Sequence, residues 1–310
     1  MDKAPFNWSK SRLEMFKNCE RQYWFNYIGY WGGWFINKSS ARTQKMYYAR
    51  NFQTHQQIAG TVVHSVIKDA IIKLQKEPIL VLADLLEFAE EELKNIVNNT
   101  KSRKCYNTKN SIAFLEILNN TFSDEIIQKT WVIIENSLKF WYECGDILDV
   151  AEIITVDDME NGWFDCELVQ KGKENTAWFR VYGVIDFAYK DSNGNYHVVD
   201  WKTGSNNGEE STKLQLLTYA LWMNIKHKIS IEDMVFDVWY LDKKEIIANT
   251  YTEDDFVEHF SYILETTENM FIKNSMPEQT FAYVSDDNLN ACKICKFQHI
   301  CDFNNKGLNA

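Results

Sequence analysis

A chain of 310 residues can bury a substantial core as one elaborated domain or two, and 45% apolar content with only three prolines excludes wholesale disorder. No run approaches the ~20 apolar residues of a membrane span, and the N-terminus from Met1 to Phe6 lacks an apolar signal segment, so a cytoplasmic protein is expected. A net charge of −11 argues against tight, indiscriminate binding to duplex nucleic acid.

In chain order, residues 9–28 read as helical and 29–57 as an irregular, aromatic and basic connection. Helices are predicted over 60–76, 79–99 and 110–143, with Pro78 at a helix start and the polar, basic stretch 100–110 as a loop. The third helix rests on Phe114, Leu115, Ile117, Leu118, Phe122, Ile126, Trp131, Ile134, Leu138 and Trp141, largely at helical spacing. From about 150 the pattern turns to strands, at 150–157, 163–170, 177–190 and 196–202. A helix at 211–227, strands at 234–241 and 246–250, and a helix at 253–273 follow. Pro277 then marks the exit to a short Cys-rich tail. The fold class is α/β: a helical N-terminal lobe (about 60–145), a mixed-sheet core (about 150–275) and the tail, in one elaborated domain over 1–310.

The most informative segment is Gly183-Val184-Ile185-Asp186 followed by Asp200-Trp201-Lys202-Thr203-Gly204. Side chains alternate along a strand, so Asp200 and Lys202 share a face and Trp201 points away. Between the two strands lies Asp191-Ser192-Asn193-Gly194, with Asp and Gly at the ends of a type I turn. A three-residue loop pairs Asp191 with Asn195 and, by the same register, Asp186 with Asp200. A two-residue Asn-Gly turn or a bulge would separate the carboxylates instead. Facing carboxylates repel unless a cation or proton sits between them, and hard oxygen ligands favour Mg2+ or Mn2+. Lys202 would then stabilise charge on a phosphate or orient the attacking water; a solvated hairpin with a Lys–Asp pair is the plainer alternative. Gln215 and Tyr219 lie four apart on one helix face, and His64 follows Gly60 in another helix.

The ordered set G-x-x-x-H, G-x-x-D, D-x-K-T-G and Q-x-x-x-Y resembles the RecB-type branch of the PD-(D/E)xK nuclease superfamily, with motifs spread from about residue 9 to residue 303. The resemblance implies a restriction-endonuclease-like core and a metal-dependent DNA nuclease. His64, Asp186, Asp200 and the backbone carbonyl of Trp201 would bind Mg2+ or Mn2+. Asp186, Asp200, Lys202, Gln215 and Tyr219 would form the catalytic set. A non-catalytic DNA-binding or scaffold subunit is the reading of a different class, and an RNA-directed nuclease a third. Recombinational repair, CRISPR spacer acquisition and phage DNA processing are the settings open to it, with a helicase or integrase as protein partner.

Cys292, Cys295 and Cys301 fall within ten residues, and three thiolates leave a tetrahedral site one ligand short. Cys19 is the best candidate for the fourth. Spacing alone does not separate iron–sulfur from zinc. Some nucleases that this chain resembles, the CRISPR-associated RecB-like exonucleases among them, bind a [4Fe–4S] cluster with such a pattern, and the resemblance implies one here. Cys105, Cys144 and Cys166 are expected to be ordinary thiols. Charge is uneven: residues 1–50 hold nine Lys/Arg against three acids, for +6, and the remaining 24 basic and 41 acidic residues give −17. Cations interleaved with rings in that segment suit single-stranded DNA, with Arg12, Arg21, Tyr30, Trp31 and Trp34 as the candidate contacts.

Overall fold

A computed structural model of the chain describes residues 6–76, 79–144, 150–169, 176–204 and 208–303. The helix start assigned to Pro78 lies outside them. In chain order the elements are β1 (Asn7–Ser9), α1 (Lys10–Asn18), α2 (Glu20–Trp24), α3 (Ala41–Ala49), β2 (Phe52–Gln53), α4 (His55–Leu74), α5 (Leu82–Lys101), β3 (Ala113–Phe114) and α6 (Asp124–Glu143). There follow β4 (Glu152–Val156), β5 (Trp163–Val169), β6 (Thr176–Tyr182), β7 (Phe187–Lys190), β8 (Tyr196–Lys202), α7 (Glu209–His227), β9 (Met234–Tyr240), β10 (Glu245–Asn249), α8 (Glu253–Asn274) and α9 (Asn290–Lys293). The class is mixed α/β, as the alternation of periods required. The chain gathers into two compact units.

One unit comprises Gln56–Leu93 and Ile127–Glu265. Its five-stranded sheet has the order β10-β9-β8-β7-β4. Only β8 and β9 pair in parallel; the other neighbours are antiparallel. A parallel pair needs a long crossover, and α7 supplies it. Central strand β8 is buried over Val198–Trp201, which is why it reads as an almost continuous apolar run. The antiparallel pair of β5 and β6 lies in the same unit.

The single strand expected over 177–190 is two strands. Gly183 N–H donates to the Gly162 carbonyl (3.0 Å), and Asp157 N–H is shared by the carbonyls of Ile185 and Asp186 (both 3.0 Å). These bonds occupy backbone groups that a continuous ladder would use. Asp186 therefore sits in a bend rather than in a strand.

The other unit comprises Met1–His55, Lys94–Ile126 and Thr266–Ala310, so the described N- and C-terminal segments fold together. Trp8 Nε1 donates to Thr266 Oγ1 (3.1 Å), and the Arg21 backbone N–H donates to the Ala282 carbonyl (2.8 Å). Glu278 takes Arg21 at 3.0 Å and Arg42 at 2.6 Å. Phe25, Met46, Ala49 and Phe297 form a small core with Cys295 and Cys301 against it.

Three expectations fail in this unit for local reasons. The helix over 9–28 breaks at Cys19, which is extended (φ −162°) and whose sulfur accepts from Gln22 N–H (3.4 Å), capping α2. The connection over 29–57 contains α3, capped by the Ser40 hydroxyl on Thr43 N–H (3.1 Å). The helix over 110–143 begins only at Asp124. Asn110 and Asn120 adopt left-handed conformations (φ 56° and 57°), which asparagine tolerates and a helix does not. Phe114 and Leu115 are buried all the same, from a short strand and a 3₁₀ turn.

Candidate functional site

The turn that sets the central hairpin has three residues in its loop. Asp191 N–H donates to the Asn195 carbonyl (3.0 Å), and Gly194 N–H to the Asp191 carbonyl (3.1 Å). The Asp191 carboxylate accepts from Asn195 N–H (2.7 Å) and from its side-chain amide (2.9 Å). Gly194 takes φ +95°, which a side chain would strain. The ladder then runs Lys190 opposite Tyr196 and Phe187 opposite Val199. That register points Asp186 toward Asp200.

The two carboxylates do not form a symmetric facing pair. Asp186 has left the ladder, and its Oδ2 accepts the Trp201 N–H (2.8 Å). Asp200 stays in β8 and is 1% exposed. Strand alternation puts Trp201 on the opposite face, packed edge-on against Trp239 (5.0 Å). Lys202 returns to the Asp200 face, with Nζ 2.8 Å from Asp200 Oδ2.

Helix α7 brings Gln215 and Tyr219 onto this face. Lys202 Nζ donates to Gln215 Oε1 (2.7 Å), and Gln215 Nε2 donates to Asp200 Oδ1 (2.9 Å) and to the Tyr219 hydroxyl (2.6 Å). Only one amide orientation satisfies an ammonium on one side and a carboxylate on the other. Helix α4 presents His64, with Nδ1 3.2 Å from Asp186 Oδ1 and Nε2 donating to the Trp201 carbonyl (3.1 Å). One turn before His64, a Cβ on Gly60 would lie 2.9 Å from Thr203 Oγ1, so glycine lets α4 approach the end of β8.

The electrostatics are those of acids held close together. Burial pulls the His64 pKa down, but Asp186, Asp200 and the Trp201 carbonyl outweigh it and raise it to about 9. Burial, opposed by Lys202 and reinforced by Asp186, raises the Asp200 pKa. Burial and the two carboxylates push the Tyr219 pKa well up. His64 is thus an imidazolium at neutral pH, and with Lys202 it balances the acids.

Among the described residues, no three His, Cys, Asp or Glu side chains stand in a ready-made metal-holding group. The donor set nevertheless suits a hard divalent cation: two carboxylates, a carbonyl and an imidazole. Asp200 Oδ2 is buried, and the Lys202 ammonium at 2.8 Å is its partner.

Sequence reasoning missed Lys68. It lies one turn beyond His64 on α4, and its Nζ donates to the Asp157 carbonyl (2.8 Å). Asp157 in turn holds the bend at Asp186 through its N–H. The i, i+4 spacing from His64 was the available signal.

In the other unit, Cys19, Cys292, Cys295 and Cys301 line one cavity together with Phe25 and Tyr283. Burial raises all four thiol pKa values, that of Cys295 to about 12, and the sulfurs raise one another's. Cys105, Cys144 and Cys166 are buried elsewhere as free thiols.

Arg21, expected to contact DNA, is 5% exposed, bridged to Glu278 and laid over the Tyr283 ring (4.5 Å). It is spent on joining the N-terminal segment to the C-terminal one. Arg12 packs over Tyr27 (4.3 Å) and donates to the Asn7 carbonyl (3.2 Å). Tyr30 stacks on Tyr47, and Trp31 meets Trp34 edge-on; all three candidate rings are half-buried.

No curated protein sequence matches the chain. It is similar to a solved structure described as the crystal structure of SSO0001, at 14% identity and a TM-score of 0.31, covering 79% of this chain and 96% of that one. The family model described as the PD-(D/E)XK nuclease superfamily matches residues 7–302, a span that takes in β7, β8, α4 and α7. A match over nearly the whole length fixes the family, and the chain belongs to the PD-(D/E)XK nuclease superfamily.

Proposed function

We propose that this nuclease is a Mg2+- or Mn2+-dependent deoxyribonuclease that prefers single strands or DNA ends and acts as an exonuclease. The observation that carries the reading is the Lys202 ammonium, held between Asp200 and Gln215 on the face that also receives His64 and Asp186. His64, Asp186, Asp200 and the Trp201 carbonyl would hold the metal, which supplies Lewis acidity and an activated water. Gln215 fixes the Lys202 ammonium in one place, and Tyr219 fixes Gln215. Lys202 then stabilises negative charge on the scissile phosphate without reorganising. His64 must give up its proton before its ring can coordinate, so metal binding at neutral pH releases a proton.

The test is cleavage of 5′- and 3′-labelled single-stranded DNA, duplex DNA and RNA with each metal, by wild type and Lys202→Ala. The variant is expected to lose about 100-fold in rate or more, while circular dichroism stays unchanged. Equal rates for the two proteins overturn the catalytic assignment. Release of labelled mononucleotides from single strands supports exonuclease action on DNA; preferential loss of RNA overturns the substrate.

The cysteines complete the reading. Cys19, Cys292, Cys295 and Cys301 hold a [4Fe–4S] cluster that ties the chain ends, supported by their sharing one cavity. Binding to a site built from distant segments becomes folding free energy. Anaerobically purified protein should be brown, with iron and sulfide in comparable amounts, and Cys19→Ser should lower the iron as much as Cys295→Ser does. Colourless protein with one zinc overturns the cluster. The acidic bulk outside residues 1–50 favours a protein partner, of helicase or integrase type, that delivers the strand.

A further inference from the structure

The unit that holds the four cysteines also contains a cavity of about 690 Å³, distinct from the one that they line. A volume of that size is typical of small-molecule sites. It is walled by α3, by β2, by the turn at residues 103–107 and by the tail after α9. Its charge is out of character for this protein. Lys45, Arg103 and Lys296 line it, and no carboxylate side chain does, in a chain whose net charge is −11.

Among the described residues none of those three cations forms an ion pair, whereas Arg21, Arg42 and Lys273 in the same unit all do. No carboxylate side chain offsets these cations at the cavity, and burial, then Arg50, already lower the Lys296 pKa to about 8, so an anion is the ligand that suits the lining. Tyr48, Phe52 and Tyr106 share the lining with the His299 imidazole. Phe52 and Tyr106 meet edge-on at 5.2 Å, and Tyr106 is 44% exposed, so its ring is open to contact. The lining thus offers cations for an anion and aromatic surface for a flat group.

We propose that this cavity binds a nucleotide, with its phosphate among Lys45, Arg103 and Lys296 and its base against Tyr48 or Tyr106. Base–aromatic stacking and cation–phosphate contact both serve any base, so the site is not sequence-specific. The nucleotide is either free or the terminal residue of a strand, since both present the same phosphate and ring. The choice of a nucleotide over other anionic aromatic ligands rests on the nuclease reading.

The test is calorimetric titration of the full chain with dAMP, inorganic phosphate and adenosine, and of full-length Lys202→Ala with a short 5′-phosphorylated oligodeoxynucleotide. dAMP should bind more tightly than either fragment. Lys45→Gln together with Arg103→Asn should weaken it by about tenfold or more. Both positions are exposed, and asparagine suits the left-handed backbone of Arg103 (φ 56°), so the pair should melt like wild type. Tyr106→Ala should weaken dAMP but leave phosphate binding as it was. Oligonucleotide binding that the double variant loses, without dAMP binding, identifies the strand end as the ligand. No saturable binding of dAMP or oligonucleotide, or equal binding by the double variant, overturns the proposal. Nucleotide binding without cleavage would leave this site standing and sink the nuclease assignment; cleavage without nucleotide binding would do the reverse.

Discussion

At the scale of single residues, the face built from Asp200 and Lys202 was legible because strand alternation is strict. Asp186 was legible as a partner but not in its conformation. Only one breaker, Gly183, interrupts an otherwise strand-like run, and the bonds that bend the chain come from Gly162 and Asp157, distant in sequence. Gln215 was visible as a polar position on α7, yet its task lies in a network that no spacing reveals. Its amide accepts from Lys202 and donates to Asp200 and Tyr219. Gln215→Leu keeps the helix and removes all three bonds. Buried polar groups left without partners cost about 1–3 kcal/mol, and the substitution should destabilise the fold by that much in urea unfolding. It should also lower cleavage more than Tyr219→Phe does, because Phe leaves the contacts of Gln215 with Lys202 and Asp200 in place. Equal losses for the two variants would show that Gln215 does not position the lysine.

At the scale of elements, β8, β9, β10, α7 and α8 fall within two residues of their expected bounds, because each has a clean period and clear ends. The misses share a cause. Around Asn110 and Asn120, buried aromatics imitate helical spacing while left-handed residues break the backbone. At Ser40 a helix begins with a cap but without the acidic N3 residue that would have announced it. The hairpin of β7 and β8 is the opposite case, since its turn chemistry alone specified the register. Gly194 carries that turn at φ +95°. Gly194→Ala should cost about 1–2 kcal/mol, and Gly194→Asn less, because asparagine enters the left-handed region more readily. Urea midpoints with unchanged m-values check the order. An alanine variant as stable as wild type would mean that the turn tolerates another conformation.

At the scale of the whole molecule, the sequence conveyed an α/β class and a nuclease motif set, but not two compact units assembled from interleaved segments. Long-range assembly depends on pairs such as Trp8 with Thr266 and Arg21 with Glu278, which carry no periodicity. Stability against pH is also a property of the whole, and here opposing histidines shape it. The Asp186 carboxylate helps hold the folded His64 pKa at about 9, above its unfolded value near 6.5. His64 therefore contributes stability that is complete below about 6.5 and lost as pH rises through 9. His259 acts on the other limb. It is 4% exposed on α8, and its Nε2 pairs with Thr218 Oγ1 at 3.0 Å. The Thr218 hydroxyl already donates to the Leu214 carbonyl, so His259 Nε2 is the donor. Burial, and secondarily the Lys213 ammonium, lower its pKa to about 4. The unfolded chain then binds a proton that the folded chain refuses between about pH 6.5 and 4, and stability must fall as pH falls through that window. The loss is on the order of 3 kcal/mol. His259→Gln removes the titration, whatever it costs at pH 7. Urea unfolding of both proteins from pH 7 to pH 4 should show the variant gaining on wild type by that amount, and parallel curves would mean that His259 is protonated in the folded state.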